Sequence, residues 1–565
     1  MLIDTNDLVS ATDFNRNTGR YTALAAEGRR IVIVKDQQLV AALVGIHDLN
    51  RLDALDGAPE LALDEVPGEG DTTLSEPPPG GLLLGHTVTG QAAYIDPRQN
   101  LMVVGRGASD FMSVLLARVG EMSADLNLQF VIANEHALQL PRPSTPDRAP
   151  TILSVILDVA NARTHFCRLG DQVDGEIDRR TALLAESSVN TIDEHRRLDS
   201  DSPANLVIVV DDADQVDPGI LNKMVSEISR SGEKLGISVW LFAATASPRG
   251  VLPAAGISQR VALPMETPAQ SRDVVYSDIA YRLKPGQAAL LKRGGDLSPF
   301  RTPTSENLTL TPAVPTAAPE LQWSPLPTSP PLDSIVGDSD QANDGSAPRL
   351  PIGVIDQPRL HSHPVYALTL TPGELTDVYT DDPMFERAFI DVVLRSASLA
   401  VSPSAQGVRF LYIGPKPSPR WPRGGNLLRS YTWDQFVGGD GLSGGHEIAH
   451  ALNEIPEEAH AADSTTVLIA NMLGPQRIVI TDLLEKAMRE DNFHVLLLRR
   501  GGLYEERMLR GAPQPATTIY SRGSAGHEVF LDHAVRQKVR KLPHRNDAYD
   551  AITSSDGYGH LVLAQ

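Results

Sequence analysis

Two adjacent carboxylates are the most suggestive chemical feature of the sequence. Leu206 to Asp212 reads LVIVVDD, so an aliphatic run ends in Asp211 and Asp212. A continuous apolar run of this kind predicts a buried parallel strand. Carboxylates at such a strand end can hold Mg²⁺ and polarise a water molecule that attacks a phosphate. The pair therefore predicts the acidic half of a nucleotide-hydrolysing site.

The phosphate-binding half should follow another buried strand. Leu101 to Val104 is apolar and leads into GRGASDFM and then a helical stretch. A phosphate-binding loop reads G-x-x-x-x-G-K-[ST]: the glycines expose backbone N–H groups, the lysine meets the β/γ charge and the hydroxyl binds the metal. Aligned on Gly105, this chain has Asp110, Phe111 and Met112 at the last three positions. Without the lysine, we expect hydrolysis to fall by orders of magnitude.

Composition limits the class of protein. The chain has 565 residues, 41% of them hydrophobic, which predicts about two to four domains. Its formal net charge of −21 opposes nucleic acid and acidic membranes unless a local basic patch exists. The single cysteine, Cys167, excludes a disulfide framework and a cysteine-rich zinc site. The N-terminus has no leader pattern and no run is long enough to span a membrane, so we expect a cytoplasmic protein without membrane insertion.

Two segments depart from globular composition. Residues 52–97 contain no Lys or Arg and include the acidic stretch DGAPELALDEVPGEGDTTLSEPPPGG, and residues from about 302 to 349 are rich in proline. Such stretches bury too little apolar surface to offset the entropy of ordering. The predicted segments are an N-terminal domain (1–55), an acidic linker (56–79), a middle domain (80–303), a disordered Pro-rich linker (304–349) and a C-terminal domain (350–565).

The N-terminal segment has the pattern of a helix followed by a β-hairpin. Thr12 or Asp13 can cap a helix that continues to about Glu27, and two β-branched runs follow. The stretch SATDFNRNTGRYTALAAEGRRIVIVKDQQLVAALVGIHDLNRL closely resembles the Phd/YefM antitoxin domain. That resemblance implies a homodimer formed through this unit and binding to operator DNA. Its candidate DNA contacts are Asn15, Arg16, Asn17 and Arg20. The alternative is an ordinary solvated helix face.

Several segments of the middle domain share one further resemblance. LLLGHTVTGQAAYIDPRQNLMVVG is similar to a strand that leads into a motor ATPase's phosphate loop, and EIDRRTALLAE to the helix before its acidic strand. ISRSGEKLGISVWLFAATASPRG, ISQRVALPMETPAQSRDVV and YRLKPGQAALLKRGG are similar to the sensor and closing segments. Because these segments occur in the same order, residues 81–303 resemble the FtsK/SpoIIIE family, including the EccC ATPases of type VII secretion.

The resemblance assigns roles to individual residues. Asp211 corresponds to the Mg²⁺-linked carboxylate, Asp212 to the usual catalytic glutamate, Thr245 to the sensor position and Arg260 to a basic position of the closing region. The candidate nucleotide-binding residues are Gly105, Arg106, Gly107, Ala108, Ser109 and Ser113. The two serines offer hydroxyls in a shifted register, whereas an arginine early in the loop replaces the lysine poorly. The alternatives are weak binding of ATP with Mg²⁺ and carboxylates that only cap a buried strand.

The C-terminal segment reads as a second, more eroded copy. LPIGVIDQPRLHSHPVYALTL resembles the opening of an EccC module, and STTVLIANMLGPQRIVITDLLEKAMREDNFHVLLLRRG parallels the acidic-strand region of the middle domain. Here Ala470-Asn471 stands where the acidic pair is expected, and TDVYTDDP lacks a glycine-rich loop. We therefore predict that this copy does not hydrolyse ATP by the P-loop route.

A competing motif lies in the same segment. His446, Glu447 and His450 satisfy H-E-x-x-H, which on a helix places two imidazoles for Zn²⁺ beside a general base. The alternative is an amphipathic helix that precedes the eroded strand, and a short pattern of this kind recurs by chance. We expect no bound zinc, and the zinc content of purified protein would test the protease interpretation.

The combined prediction is an α/β protein. A small Phd/YefM-like domain is followed by two RecA-like, three-layer α/β/α domains of the P-loop NTPase type. We expect an impaired ATPase relative with a regulatory or scaffolding role in type VII secretion or DNA transfer, and an active FtsK/EccC-type motor or secretion ATPase as its partner. The alternatives are a slow ATPase, a Phd/YefM-type transcriptional regulator and a zinc metalloprotease.

Overall fold

Helices and strands extend from Leu8 to Leu563 in a computed structural model of the chain. The structure describes residues 8–26, 31–35, 38–43, 75–87, 89–134, 139–141, 151–156, 163–246, 256–293, 295–302, 310–312, 323, 329–339, 347–399, 407–415, 421, 426–432, 464–472, 484, 487–489, 492–500, 515–521, 535, 538–539, 542, 550–554 and 559–565. Two units are distinguished, Met1–Thr73 and Leu74–Gln565.

The smaller unit contains a three-stranded sheet and two short helices. Its elements are β1 (Leu8–Ser10), α1 (Ala11–Arg16), α2 (Thr18–Ala26), β2 (Ile31–Lys35) and β3 (Gln38–Leu43). β1 pairs with β2 in parallel, and β2 pairs with β3 antiparallel. Ser10 caps α1 instead of Thr12 or Asp13, because its side chain accepts from the N–H of Asp13. The single predicted helix is divided at Asn17, whose N–H bonds to two carbonyls of α1.

A ten-stranded sheet forms the first half of the larger unit. Its strands are β4 (Leu82–His86), β5 (Ala92–Ile95), β6 (Leu101–Val104), β7 (Leu128–Ala133), β9 (Thr151–Ile156), β10 (Asn205–Val210), β11 (Ile237–Ala243), β12 (Gln259–Ala262), β13 (Gln287–Lys292) and β14 (Leu297–Arg301). The order is β5-β4-β14-β13-β12-β6-β11-β10-β7-β9. The last six strands in this order, β12, β6, β11, β10, β7 and β9, are parallel to one another. A separate ribbon pairs β8 (Gln139–Pro141) with β15 (Leu310–Pro312).

Helices cover both faces of this sheet. They are α3 (Ala108–Leu126), α4 (Arg163–Glu186), α5 (Ile192–Leu198), α6 (Pro218–Leu235), α7 (Pro268–Val275) and α8 (Ile279–Arg282). The β6-α3-β7 and β10-α6-β11 crossovers run in opposite directions along the sheet, so right-handed connections place α3 and α6 on opposite faces. The central strands β6, β10 and β11 are buried throughout, which matches their continuous apolar sequences.

A second ten-stranded sheet repeats the first. Its strands are β16 (Arg349–Asp356), β17 (Val365–Thr369), β18 (Leu375–Tyr379), β19 (Arg409–Gly414), β20 (Leu427–Thr432), β21 (Thr466–Asn471), β22 (Phe493–Arg499), β23 (Thr517–Ser521), β24 (Asp550–Thr553) and β25 (Gly559–Leu563). The order is β17-β16-β25-β24-β23-β18-β22-β21-β19-β20, so each strand occupies the place of one strand in the first sheet. The predicted second copy is present in the fold.

Part of the segment predicted to be a disordered linker is ordered. Helix α9 (Leu332–Ser339) lies within residues 304–349, and its apolar side chains join the core of the second sheet together with helix α10 (Pro383–Leu399). The side chain of Trp323 is 3% exposed and lies against the ring of His361, with ring centroids 5.3 Å apart. Large apolar residues within the proline-rich sequence supply the buried surface that offsets the entropy of ordering.

The two repeats meet where α4 packs on the turn Pro358–Leu360. A Cβ at Gly175 would lie 2.1 Å from the carbonyl oxygen of Arg359, so this close approach requires glycine. The Arg168 guanidinium donates to both carboxylate oxygens of Asp356 at 2.8 and 2.9 Å. Burial opposes ionisation of Asp356, but hydrogen bonds from His363 and Arg168 lower the pKa of the carboxyl to about 2. An ion pair therefore joins the repeats.

Candidate nucleotide cleft

The loop after β6 lies at the same sheet edge as the end of β10. The two strands are parallel and separated only by β11, so their carboxyl ends meet. Gly105 has φ +129°, and a Cβ there would lie 2.8 Å from the carbonyl oxygen of Leu263. The Gly105 N–H donates to the carbonyl oxygen of Ala243 at 3.0 Å. Glycine is required here because the chain turns within a close-packed space.

The hydroxyl of Ser109 identifies the register of the loop. It donates to Oδ1 of Asp211 at 2.9 Å. In P-loop NTPases the loop Ser or Thr and the strand-end Asp hold the same Mg²⁺, so the two side chains must be neighbours. Ser109 therefore stands at the hydroxyl position of the loop, with Ala108 at the lysine position and Gly107 at the second glycine.

The alignment on Gly105 is consequently wrong. Phe111 and Met112 are 8% and 0% exposed, because they belong to the buried face of α3. The loop pattern needs four residues between its glycines, whereas Arg106 alone separates Gly105 from Gly107. The loop is therefore three residues shorter (four minus one) than the pattern, and it lacks the lysine in either register.

Asp211 lies in a poorly solvated position at the end of β10. Its side chain is buried, and its N–H donates to the carbonyl oxygen of Ala133 at 2.9 Å. Burial raises the pKa of the carboxyl to about 6; the hydrogen bond from Ser109 lowers it, and the charge of Asp212 raises it further. A cation beside Asp211 would favour the ionised carboxylate over the protonated form that burial favours.

A third carboxylate, Asp214, determines where Thr245 points. The N–H and the hydroxyl of Thr245 both donate to Oδ2 of Asp214, at 3.2 and 3.0 Å. The hydroxyl of the predicted sensor residue is thus bonded to Asp214, which follows the acidic pair in the sequence DDAD but was not among the predicted site residues. Asp212, the candidate for the catalytic glutamate position, has φ +48° and is half-buried.

Two other candidate nucleotide-binding residues, Arg106 and Ser113, have protein partners of their own. Arg106 is largely exposed and its guanidinium lies 3.4 Å from the carboxylate of Glu266. Ser113 donates to the backbone carbonyl of Ser109 at 3.1 Å, one turn back along α3. A cavity of about 500 Å³ opens beside the loop. It is lined by Arg106, Gly107, Asp110, Phe111, Val114, Leu263, Pro264, Met265, Leu283, Pro285, Gly286, Gln287 and Thr302.

The E-x-x-R-R helix has a structural role away from this cleft. Glu176 and Arg180 are 1% and 2% exposed, and Nε of Arg180 donates to Oε1 of Glu176 at 2.5 Å. Arg180 also donates to the carbonyls of Leu235 and Gly236, at 2.7 and 3.1 Å, which caps the C-terminus of α6. These contacts lie at the amino end of β11, the opposite edge from the loop.

In the second repeat, other side chains occupy the corresponding edge. Strand pairing aligns Leu206 with Thr466 and Ile237 with Phe493, which places Asn471 at the position of Asp211 and Met472 at that of Asp212. The acidic pair is thus replaced one residue later than the predicted Ala470-Asn471. The Asn471 amide donates to Oε1 of Glu386, in the first turn of α10, at 2.5 Å. A helix-to-strand hydrogen bond persists, but the carboxylate has moved to the helix.

A buried ion pair adds to this difference. Arg499 donates to both oxygens of Asp377, at 3.0 and 2.6 Å, and its guanidinium carbon lies 4.4 Å from the ring centroid of Tyr379. The register aligns Asp377 and Arg499 with Met102 and Ala243 of the first repeat. Three residues, Thr380-Asp381-Asp382, join β18 to α10, so this link is as short as the loop of the first repeat.

Comparison with known proteins identified structural relatives. The cytoplasmic domain of the Thermomonospora curvata type VII secretion ATPase EccC matches with a TM-score of 0.62 and 18% identity, over 87% of this chain and 65% of that one. Thermomonospora curvata EccC (ATPases 2 and 3), solved with a signal sequence peptide, matches with a TM-score of 0.55 and 15% identity, over 84% and 90%. The chain shares their fold.

The similarity confirms the predicted tandem RecA-like, three-layer α/β/α architecture of the EccC-like repeats. The chain spans 65% of the length of the first of these two relatives. No protein-family model matches the sequence, and no curated protein matches it either.

The remaining candidates lie outside the cleft. Arg16 on α1 and Arg20 on α2 are exposed, and Asn15 belongs to α1. Asn17, between the two helices, is also exposed, and its side-chain amide donates to Oδ1 of Asp13 at 2.9 Å. The motif formed by His446, Glu447 and His450 lies outside the described residues. Among the described residues, no helix is long and apolar enough to cross a membrane, and no group of three or more His, Cys, Asp or Glu could hold a metal ion.

Proposed function

We propose that the chain is an impaired relative of the type VII secretion ATPases that acts as a scaffold or regulator. The observation that carries this proposal is the three-residue link between strand and helix in both repeats, residues 105–107 and 380–382. Neither link contains a lysine. A loop of this length presents fewer backbone N–H groups to a phosphate chain, and no ammonium group meets the β/γ charge.

The side chains that remain in the first repeat bind each other. Ser109 donates to Asp211, and Thr245 donates to Asp214. Hydrolysis depends on preorganised charge around the transferring phosphoryl group. With the lysine missing and the sensor hydroxyl bonded to Asp214, we expect no turnover of ATP above the uncatalysed background.

A slow ATPase is the second candidate, and one observation favours it. The contact between Ser109 and Asp211 is the pair of groups that hold Mg²⁺ in an intact site. Titration with MgATP, followed by phosphate release, separates the candidates. Micromolar binding that Asp211→Ala abolishes would overturn the purely scaffolding role; absence of saturable binding in both proteins would support it.

The proposed partner is an active FtsK/EccC-type ATPase of the same cell. The structural similarity to EccC supports this choice. A domain with the fold of a motor ATPase domain can bind in the assembly where another domain of the motor would bind. The tagged full-length chain should co-purify with that ATPase and change its rate of phosphate release. Absence of both effects at equimolar concentration would contradict the docking proposal.

Dimerisation through residues 1–55 and binding to operator DNA remain separate proposals. Sedimentation of the full-length chain tests the dimer, and the effect of Arg16→Ala and Arg20→Ala on DNA binding tests the second proposal.

A further inference from the structure

A cationic pocket lies at the edge of the first sheet opposite the shortened loop. Its volume is about 210 Å³, and its lining includes Arg260, Lys292, Arg293 and the ring of Tyr276. Among the described residues that line it, none is acidic. The chain as a whole has a formal net charge of −21, so this local sign is opposite to the average. The pocket therefore favours an anionic ligand.

Strand direction separates this pocket from the nucleotide cleft. β12 is parallel to β6, and Ile257 and Ser258 line the pocket immediately before β12 begins. The phosphate-type loop follows the other end of β6, about 13 Å away along four residues of strand. Arg260, which family resemblance assigned to the closing region, thus belongs to a different site from Asp211.

The side chain of Arg260 packs against one face of the Tyr276 ring. The Arg260 side chain is buried, and its Nη1 donates to the carbonyl oxygen of Val274 at 3.2 Å. Its guanidinium carbon lies 5.0 Å from the ring centroid of Tyr276, a cation–π geometry. One face of the ring is therefore held by the protein.

Tyr276 itself is unusual in its backbone and its exposure. It is the C-cap of α7, with φ +58°, where glycine or asparagine is the common choice. The residue is nevertheless 71% exposed, so burial of the ring does not explain the aromatic side chain. A bulky residue kept in the left-handed region on the surface indicates a functional constraint.

A second cavity extends the pocket into a groove. It has a volume of about 400 Å³ and shares Ile257, Ser258 and Arg293 with the pocket. It adds the polar side chains of Arg98, Asn100 and Ser229 and the carboxylate of Glu233. Because the two cavities share three lining residues, they adjoin each other and together offer more room than the pocket alone.

We propose that this groove binds single-stranded nucleic acid. A base stacks on the exposed face of Tyr276, and Arg293 meets a flanking phosphate. The ammonium of Lys292 lies 3.3 Å from the ring centroid of Tyr94, so this side chain is not assigned to a phosphate. Proteins of this kind combine a positive groove with aromatic platforms, and stacking on an aromatic ring tolerates any base. An acidic peptide would use the same cations but would not need the exposed ring, so the observations favour nucleic acid.

The test is fluorescence anisotropy of the full-length chain with a labelled twelve-residue oligothymidylate. Tyr276→Ala should weaken binding about tenfold, through loss of one stacked base. Arg293→Gln should weaken it several-fold and lower the slope of log affinity against log salt by about 0.7, as for one phosphate contact. Tyr281→Ala, an exposed tyrosine on α8, and Arg282→Gln, paired with Asp278, are matched controls that should leave binding unchanged.

Competition identifies the ligand. Unlabelled thymidine monophosphate at millimolar concentration should displace little probe, whereas the unlabelled oligonucleotide should displace all of it. Complete displacement by the mononucleotide would assign the groove to free nucleotides and overturn the nucleic-acid proposal. Stronger binding of a twelve-residue polyglutamate, or loss of oligonucleotide binding in Arg16→Ala but not in Tyr276→Ala, would also overturn it.

Discussion

The two repeats have corresponding strands in the same order, but different side chains lie at the carboxyl ends of their parallel strands. The first repeat retains a strand-end carboxylate, Asp211, that accepts from the helix residue Ser109. The second retains an amide, Asn471, that donates to the helix residue Glu386, and adds the ion pair of Arg499 with Asp377. In both repeats a side-chain hydrogen bond links the helix to the strand end, and the donor and acceptor sides are reversed between the repeats.

The largest expected effect concerns the ion pair that only the second repeat contains. Arg499→Ala leaves the buried carboxylate of Asp377 without its cation, and should lower the free energy of unfolding by about 3–5 kcal/mol. Denaturant unfolding measures the loss. The double change Asp377→Met with Arg499→Ala recreates the residues of the first repeat, Met102 and Ala243, and should lose much less. Equal losses in the two variants would mean that the pair is not coupled.

Restoring an acidic residue in the second repeat should also be destabilising. Asn471→Asp places a carboxylate beside Glu386, whose pKa is already raised by burial. The amide hydrogen bond is lost and two carboxyl groups compete, so we expect a loss of about 3 kcal/mol at pH 8. Because protonation of either carboxyl relieves the conflict, the loss should shrink at pH 5. A loss of the same size at both pH values would contradict this explanation.

Adding a Cβ to the first loop tests its close packing. Gly105→Ala introduces an atom 2.8 Å from the Leu263 carbonyl oxygen at φ +129°, so we expect a loss of about 2–3 kcal/mol. The corresponding residue of the second repeat is Thr380, whose N–H donates to the carbonyl oxygen of Arg499 as that of Gly105 does to Ala243. Thr380→Ala adds no atom; it removes the hydrogen bonds that the Thr380 hydroxyl makes with Ser521 and with the backbone of Asp382, and should lose about 1–2 kcal/mol. A tolerated Gly105→Ala would contradict the described turn.

The smallest effect has the opposite sign and depends on pH. Burial raises the pKa of Asp211 from 3.8 to about 6, which means that the folded chain favours the protonated carboxyl. The stability that protonated Asp211 contributes is therefore fully present below pH 4 and is lost as the pH rises through 6. Asp211→Asn keeps an acceptor for Ser109 without the charge, and should stabilise the chain by about 2 kcal/mol at pH 8 and little at pH 4. Thermal unfolding at both pH values measures this. The exposed Asp110→Asn is the control, with an expected change below about 0.5 kcal/mol.

The character of the buried central strands was accessible from the sequence, whereas the register at strand ends was not. The run LVIVVDD predicted β10 because fully buried parallel strands are continuously apolar. The predicted alignment of the phosphate-binding loop was wrong, because Gly105 is required by the turn against Leu263 and is not the first glycine of the loop pattern. Alignment on that glycine therefore placed helix residues in the loop. The helical spacing of Ala108, Met112 and Leu115, all buried on α3, was the signal that would have corrected it.

Long-range pairing explains the other differences. The replacement of Asp211 by Asn471 depends on the ladder between β21 and β22, which no local pattern records. Similarly, the pairing of Thr245 with Asp214 joins residues from two strand ends, and the tertiary fold alone brings them within 3.0 Å. The helix α9 was hidden by surrounding prolines, although Leu332, Ile335 and Val336 form an apolar face at helical spacing.

Calorimetric titration of the full-length chain with ATP in excess Mg²⁺ measures whether the first cleft still binds nucleotide. If the first cleft lacks a phosphate-binding loop and its remaining polar groups bind each other, no saturable binding should occur with a Kd below about 1 mM. This Kd corresponds to a binding free energy of about −4 kcal/mol. No phosphate release above background should follow. Micromolar binding that disappears in Asp211→Ala, accompanied by turnover, would contradict the claim that this fold has lost its motor chemistry.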